Sequence, residues 1–382
     1  MNPDRVLHVF KYFRPDFTGE GIFLERLAPV FQRLRPDVVH EVAVTTTGRP
    51  QNFAPPPGLA AVHFLSEGGP VGQTKLVGWL ACHATRFSTV HYHTHVDRSF
   101  AASALLRIFR RRVVLSATLD DSIPGLVGTY RPLFRPLVRV LSRMISMFVA
   151  ISPRLFVENN QVAPRAKSVL VPIGITIPPA PSQEARAAAR RKLQIPQSAT
   201  VFVSVGGICA RKDQLFLIEQ MASLVRRHPD LVLVLVGPVL EPEYRARLEA
   251  EITHGQLRSH VMFAGYQENP WDYYDAADAM VFASREEGFG TVVIEAMARG
   301  LPVLVRRLPG VNDTFVEQGS SGFLFDDAGG FQAGASALAS DAALRRTMGE
   351  RGRAFVADHY DIDEVAARYL AIYGHPTDAV AA

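Results

Sequence analysis

Short apolar runs and helix-patterned stretches alternate through the second half of this 382-residue chain. Residues 201–205 read as a strand, 215–227 as a helix, 231–236 as a strand and 243–253 as a helix. Further strand-like runs follow at 261–264, 279–283 and 302–305. Such alternation predicts a doubly wound parallel sheet with right-handed crossovers. Ligands of sheets of this kind bind at the carboxyl ends of the strands.

The first half repeats the pattern with weaker punctuation. Strands are expected near 6–10, 41–46, 61–65, 113–118, 148–152 and 169–172, with helices near 22–34, 73–86 and 101–110. The proline-rich run 172–182 reads as a linker, and 342–358 and 364–373 as terminal helices. The length suits two domains, each with its own core. Their expected bounds are 1–176 and 177–360, with a last segment, 361–382, returning to the first domain. Hydrophobic residues make up 48% of the chain, which marks it as globular rather than disordered. A net charge of +4 is too mild to argue for nucleic acid. Cys82 and Cys209 are the only cysteines, so neither a disulfide framework nor a zinc cluster built on cysteine is available, and a reducing compartment fits. The first residues lack the apolar core of a signal peptide, and no apolar run reaches the ~18 residues of a membrane span.

The stretch 284–300 carries the chemistry. It follows a strand, opens with polar residues and Gly288 and Gly290, becomes helical, and stops at Gly300-Leu301-Pro302. Glu287 lies in the loop and Glu295 on the helix, eight positions on. The glycines let a ligand approach the backbone, and the N–H groups of Gly290, Thr291 and Val292 would face an anion, most often a phosphate. Two carboxylates would repel that phosphate directly. They make sense as partners of hydroxyl groups on either side of it, as in a sugar nucleotide.

This stretch, Glu287-Gly288-Phe289-Gly290 through Glu295-Ala296-Met297-Ala298-Arg299-Gly300-Leu301-Pro302, resembles the glutamate-x7-glutamate motif of the retaining glycosyltransferases of family 4. The resemblance extends over nearly the whole chain and is strongest from Val201 to Phe325. It implies an α/β chain of the GT-B fold, two doubly wound Rossmann-like domains facing across a deep cleft. The first would bind acceptor and the second the nucleotide sugar.

The implied roles follow residue by residue. Glu287 would bind donor sugar hydroxyls and Glu295 the ribose hydroxyls, with Phe289 and Thr291 lining the donor between them. Tyr266 and Gln267 would line the base. In Gly206-Gly207-Ile208-Cys209-Ala210-Arg211-Lys212, Lys212 matches the family's phosphate lysine. Gly207 stands where the family has arginine, and Arg211 is the nearest replacement. Both cations lie near a helix start, where the dipole disfavours them unless an anion is present. Gly19-Glu20-Gly21 partly matches the family's first glycine-rich loop. His91, His93 and His95 alternate on one strand, but three same-face residues do not readily close a tetrahedron, so no metal is expected. His95 is the one expected at the cleft. Asp120 occupies the place of a family histidine that contacts the donor sugar, although it could equally cap the following turn.

The implied reaction moves a sugar from a UDP- or GDP-sugar to an acceptor hydroxyl, with the anomeric configuration kept and no cofactor or metal. Polysaccharide, lipid-linked oligosaccharide or glycolipid synthesis are the expected settings, in the cytoplasm or against the inner face of the membrane. A sugar-nucleotide epimerase of the same fold and an inactive binding protein are the competing readings. Arg131, Arg135, Arg139 and Arg143 recur every four residues. They predict a helix with a solvated arginine face opposite a half-buried stripe of Leu133, Phe134, Leu137, Leu141 and Met144. Contact with anionic lipid head groups is the sharper alternative.

Overall fold

The computed structural model describes residues 4–16, 18–66, 71–93, 99–117, 123–129, 131–161 and 167–377. The chain forms two compact units, one from residues up to Ile175 together with those from Tyr360 on, the other from Thr176–His359.

The first unit is built on a seven-stranded sheet, entirely parallel, ordered β3-β2-β1-β4-β5-β6-β7. Its strands are β1 (Asp4–Phe10), β2 (Val38–Val44), β3 (Ala61–Phe64), β4 (Thr89–Tyr92), β5 (Arg112–Ala117), β6 (Met147–Ala150) and β7 (Ser168–Leu170). The helices are α1 (Gly19–Leu34), α2 (Val71–His83), α3 (Ser99–Ile108), α4 (Ile123–Thr129), α5 (Arg135–Ser142), α6 (Pro153–Asn159) and α14 (Ile362–Tyr373). One face of the sheet packs under α1 and α14, where Phe31, Leu24, Tyr369 and Tyr373 are buried. The other packs under α2 and α3 through Leu76, Leu80 and Leu106.

The second unit has a six-stranded parallel sheet ordered β10-β9-β8-β11-β12-β13. Its strands are β8 (Thr200–Val205), β9 (Leu231–Val236), β10 (Val261–Gly265), β11 (Ala279–Phe282), β12 (Val303–Arg306) and β13 (Gly322–Phe325). The helices are α7 (Gln183–Lys192), α8 (Gln214–Arg227), α9 (Pro242–His254), α10 (Trp271–Ala276), α11 (Thr291–Ala298), α12 (Ala328–Ser340) and α13 (Ala342–His359). The run of Leu and Val in β9 is buried at every position, as expected of a central strand covered on both faces. Strand order reverses between β8 and β11, so the connections leave this gap in opposite directions and open a crevice at its carboxyl end.

Two local expectations are corrected. Gly19 and Gly21 lie in the first turn of α1, not in a loop before it. Thr18 caps that helix, its Oγ1 accepting from the Gly21 amide at 3.1 Å. The stripe expected to be half-buried on the arginine helix is exposed, with Leu133 at 83%, Leu137 at 55% and Phe134 at 48%. A 3-10 turn over Pro132–Phe134 precedes α5, and the short helix turns Val138 and Ser142 inward instead.

Candidate functional site

The loops after β8 and β11 flank the crevice of the second unit, and each delivers one side of a charged pair. After β8 the chain passes Gly206 and Gly207 and makes a 3-10 turn over Ala210–Lys212. Asp213 follows in the left-handed region at φ 53°. Its buried carboxylate accepts from Arg285 Nε and Nη2 at 3.0 Å and from Arg306 Nη2 at 2.9 Å. The Arg306 guanidinium also lies 4.7 Å from the centre of the Phe216 ring and 5.3 Å from that of Phe325. The Arg285 amide donates to the Arg211 carbonyl at 2.9 Å. These contacts tie the two loops together.

Held in this way, Lys212 Nζ donates to Glu287 Oε1 at 2.5 Å. The same oxygen accepts from the Ser284 hydroxyl at 2.5 Å and from Arg211 Nη1 at 3.3 Å. Glu287 and Ser284 are buried. The Lys212 ammonium also lies 5.0 Å from the centre of the Phe282 ring. Lys212 thus stands beneath the crevice beside a carboxylate, while the more exposed Arg211 anchors on the Glu286 carbonyl at 2.7 Å.

Gly290 caps α11 with φ 92°, a left-handed conformation that favours glycine. No side chain caps this helix, and the Thr291 and Val292 amides donate to no group among the described residues. Such an end attracts an anion. Phe289 is buried against Phe315, with ring centres 5.5 Å apart, and fixes the loop before the cap; Gly288 is buried beside it. On the next turn of α11, Glu295 is 5% exposed and its Oε2 accepts from the Tyr274 hydroxyl at 3.2 Å. Tyr266 and Gln267 follow the carboxyl end of β10, with Tyr266 half-exposed and Gln267 Nε2 donating to the Ala264 carbonyl at 2.9 Å. A Cβ on Gly207 would approach Leu240 Cδ1 to 2.4 Å, so Leu240 fills the space that an arginine at this position would enter.

Glu287, Lys212, Arg211, Gly207, Gly288, Phe289, Gly290, Thr291 and Glu295 therefore gather on one edge of one unit. Ser284, Asp213, Arg285 and Arg306 complete this edge and escaped the sequence reading. Ser284 immediately precedes the motif, but no spacing signals the pairing of Asp213 with arginines 72 and 93 positions away.

Gly19 and Gly21 belong to the first unit, where Gly21 packs so closely that a Cβ would lie 3.0 Å from Thr18 Oγ1. His95 and Asp120 fall outside the described residues. His91 and His93 share a face as expected, and their neighbours there are His8 and His40 from adjacent strands. His8 Nε2 bonds to His40 Nδ1 at 2.9 Å and His8 Nδ1 to His93 Nε2 at 2.8 Å. His91 bonds to the Tyr373 hydroxyl and to Ser116 Oγ, both at 2.7 Å. Ring nitrogens of His8, His91 and His93 come within 4.8 Å of one another, but hydrogen bonds to other rings and hydroxyls already engage these side chains. Burial lowers the pKa of all four, that of His40 to about 3.

The architecture is the two-unit Rossmann-like fold of the GT-B glycosyltransferases. Anabaena HepE, solved in complex with UDP and glucose, superposes with a TM-score of 0.80 at 20% identity, over 97% of this chain and 99% of HepE. Residues 185–355, which hold the whole Lys212–Glu287–Glu295 edge, match the glycosyl transferases group 1 family. A lipopolysaccharide core biosynthesis glycosyltransferase, LpsE of Rhizobium meliloti, is 32% identical over 183 residues, 47% of this chain and 52% of LpsE. An N-acetyl-alpha-D-glucosaminyl L-malate synthase of Bacillus anthracis is 23% identical over 286 residues, 74% of each chain. The match to LpsE thus spans about half of that relative.

Proposed function

We propose that this chain is a retaining glycosyltransferase of family 4 that moves a sugar from a UDP- or GDP-sugar to an acceptor hydroxyl. The observation that carries the reading is the Lys212–Glu287 pair at the strand-order reversal, next to the uncapped N-terminus of α11. A donor diphosphate accepts from the Thr291 and Val292 amides and draws the Lys212 ammonium, with Arg211 as second cation. Glu287, released from Lys212, accepts from donor sugar hydroxyls. Glu295 accepts from the ribose, and Tyr266 and Gln267 line the base. The cations and the helix end supply the positive charge that the diphosphate needs, so the proposed reaction uses no metal and no cofactor.

In the reaction the bond from the anomeric carbon to the phosphate oxygen breaks, and its electron pair leaves with the phosphate. The acceptor oxygen bonds to that carbon on the same face, and its proton passes to the departing phosphate. Negative charge grows on the leaving group, so Lys212 stabilises the transition state more than the ground state. By resemblance to the family we assign Asp120 and His95 to the sugar and acceptor side. Asp120→Asn, which removes charge but keeps shape, is expected to slow transfer with near-normal thermal stability.

The acceptor belongs to polysaccharide, lipid-linked oligosaccharide or glycolipid synthesis, in keeping with LpsE, a lipopolysaccharide core biosynthesis glycosyltransferase. Peripheral contact of the first unit with an anionic cytoplasmic membrane fits the exposed surface around α5. Leu133, Phe134, Leu137, Val140 and Met144 are exposed among Arg131, Arg139 and Arg143. α3, which packs on α5, adds exposed Ile108 and Arg107. None of the described residues from 99 to 157 is acidic. Apolar side chains ringed by unopposed arginines suit an anionic lipid surface.

The test is incubation with a panel of UDP- and GDP-sugars, with release of nucleotide followed and the product anomer read by NMR. Nucleotide release from one donor, with the anomeric configuration kept in the transferred sugar, is expected. An inverted product or an epimerised sugar nucleotide contradicts the reading.

A further inference from the structure

At the other end of α11 lies a second charged pocket, on the edge where β11 and β12 begin. It encloses about 420 Å³. Its walls come from α7, α10, α13 and the turn from α11 into β12, and they carry five arginines, Arg186, Arg299, Arg345, Arg346 and Arg353, against two carboxylates, Asp278 and Glu350. Asp278 is already shared. It pairs with Arg186 at 2.5 Å, with Arg190 at 2.7 Å and with Arg345 at 3.7 Å. Arg299 pairs with Asp275 and Arg353 donates to the Ala298 carbonyl, while Arg346 is exposed and has no ion pair among the described residues. Positive charge in the lining is therefore under-compensated.

Two shifts agree with this crowding. Arg353 is lowered first by burial and then by Arg299. Arg186 is lowered first by burial, and Arg190 and Arg345 add to the effect against Asp278. Burial comes first in both, and neighbouring guanidinium groups add to it.

We propose that this pocket is a binding site for a small multiply charged phosphate compound, separate from the carboxyl-edge site. Guanidinium groups match phosphate oxygens in pairs, and here α7, α13 and the turn after α11 each bring at least one to the lining. The volume is within the range of small-molecule sites. Arg353 donates to the Ala298 carbonyl at the negative end of α11, which would otherwise repel such a ligand. The pocket also reaches the donor side, because Tyr274 lines it and the Tyr274 hydroxyl donates to Glu295. An occupant is placed to alter nucleotide affinity through Tyr274.

Pyrophosphate, without divalent metal, is the probe, titrated calorimetrically into the full chain. It will also meet the α11 N-terminus, so the variants separate the sites. Two sites are expected in the wild type. Arg346→Glu should weaken one by about tenfold or more, the loss of one charge-assisted contact. Glu350→Gln should tighten the same site, and Lys212→Ala should leave it intact. Unliganded melting temperatures close to wild type show that the variants fold. A single site abolished by Lys212→Ala and indifferent to Arg346→Glu and Glu350→Gln would overturn the proposal. Neither outcome depends on sugar transfer, so this site stands or falls apart from the proposed reaction.

Discussion

Lys212 Nζ and Glu287 Oε1 lie 2.5 Å apart although 75 positions separate them in the chain. Each is mostly shielded from water, at 13% and 11% side-chain exposure. The lysine is paired in the unliganded chain, and under the proposed reaction a donor diphosphate competes with Glu287 for it. Exchange of one anionic partner for another keeps the buried ammonium paired throughout, which avoids the cost of an isolated charge.

Lys212→Ala should therefore lower turnover far more than stability. Loss of a charged hydrogen bond to the leaving group, about 1.5–3 kcal/mol, corresponds to roughly 10- to 100-fold in rate. Glu287 keeps Ser284 and Arg211. Steady-state kinetics beside thermal melting checks this, and a collapsed fold with normal activity in the surviving protein would refute it.

Asp213→Asn should act on both. Arg285 and Arg306 lose their shared carboxylate, and Arg306 is only 21% exposed. A cost of about 2–3 kcal/mol is expected, below that of a fully buried pair because Arg285 reaches water. Chemical denaturation gives the stability change, and a parallel fall in turnover is expected because the turn that presents Lys212 loosens.

How legible was this site beforehand? Glu287, Gly290 and Glu295 lie within one strand-loop-helix, so local pattern disclosed them. Asp213 and Arg306 meet only through the sheet, and their spacing carries no period. In the first unit, alternation placed His91 and His93 on one face, but His8 and His40 arrive from other strands. β13 and α12 were also missed. The helix opens on Ala328-Gly329-Gly330, whose two glycines are poor helix formers that hide its start, yet Asp327 caps it, its Oδ1 accepting from the Gly330 amide at 2.8 Å, and Phe331, Ala335 and Leu338 pack into the core. The stripe around α5 went wrong because a 3-10 turn shifts the helical phase that regular spacing assumes.

The histidine cluster gives a pH dependence. His8, His40, His91 and His93 pack against Phe31, Tyr369 and Tyr373, and His375 adds a further repulsion at His40. All four bind protons less readily folded than unfolded. The stability from burying them neutral is full above the ordinary value of 6.5 and is lost as pH falls towards the folded values, about 3 for His40. Each contributes a slope of up to about 1.4 kcal/mol per pH unit in that window. Denaturation of the first unit, followed by amide exchange between pH 7 and 5, should show steep loss, and a flat profile would contradict the buried neutral cluster.

Vesicle sedimentation tests the surface around α5. Anionic vesicles should retain more protein than neutral ones at low salt, and high salt should reduce the difference. Leu137→Asp and Arg143→Glu should each weaken retention. Equal recovery with both vesicle types would remove the membrane contact.

In the proposed function the carboxyl edge of the second unit holds a nucleoside diphosphate, with Glu295 on its ribose. Calorimetric titration of UDP and of GDP into the wild type and Glu295→Ala addresses it directly. Tyr274 retains the Val292 carbonyl as an acceptor at 3.3 Å, so the variant should fold. One of the two nucleotides should bind the wild type, and Glu295→Ala should weaken it by roughly 10- to 100-fold, the worth of a carboxylate hydrogen-bonded to a diol. Unchanged affinity in Glu295→Ala, or no binding of either nucleotide to the wild type, would rule out a nucleotide held there by Glu295.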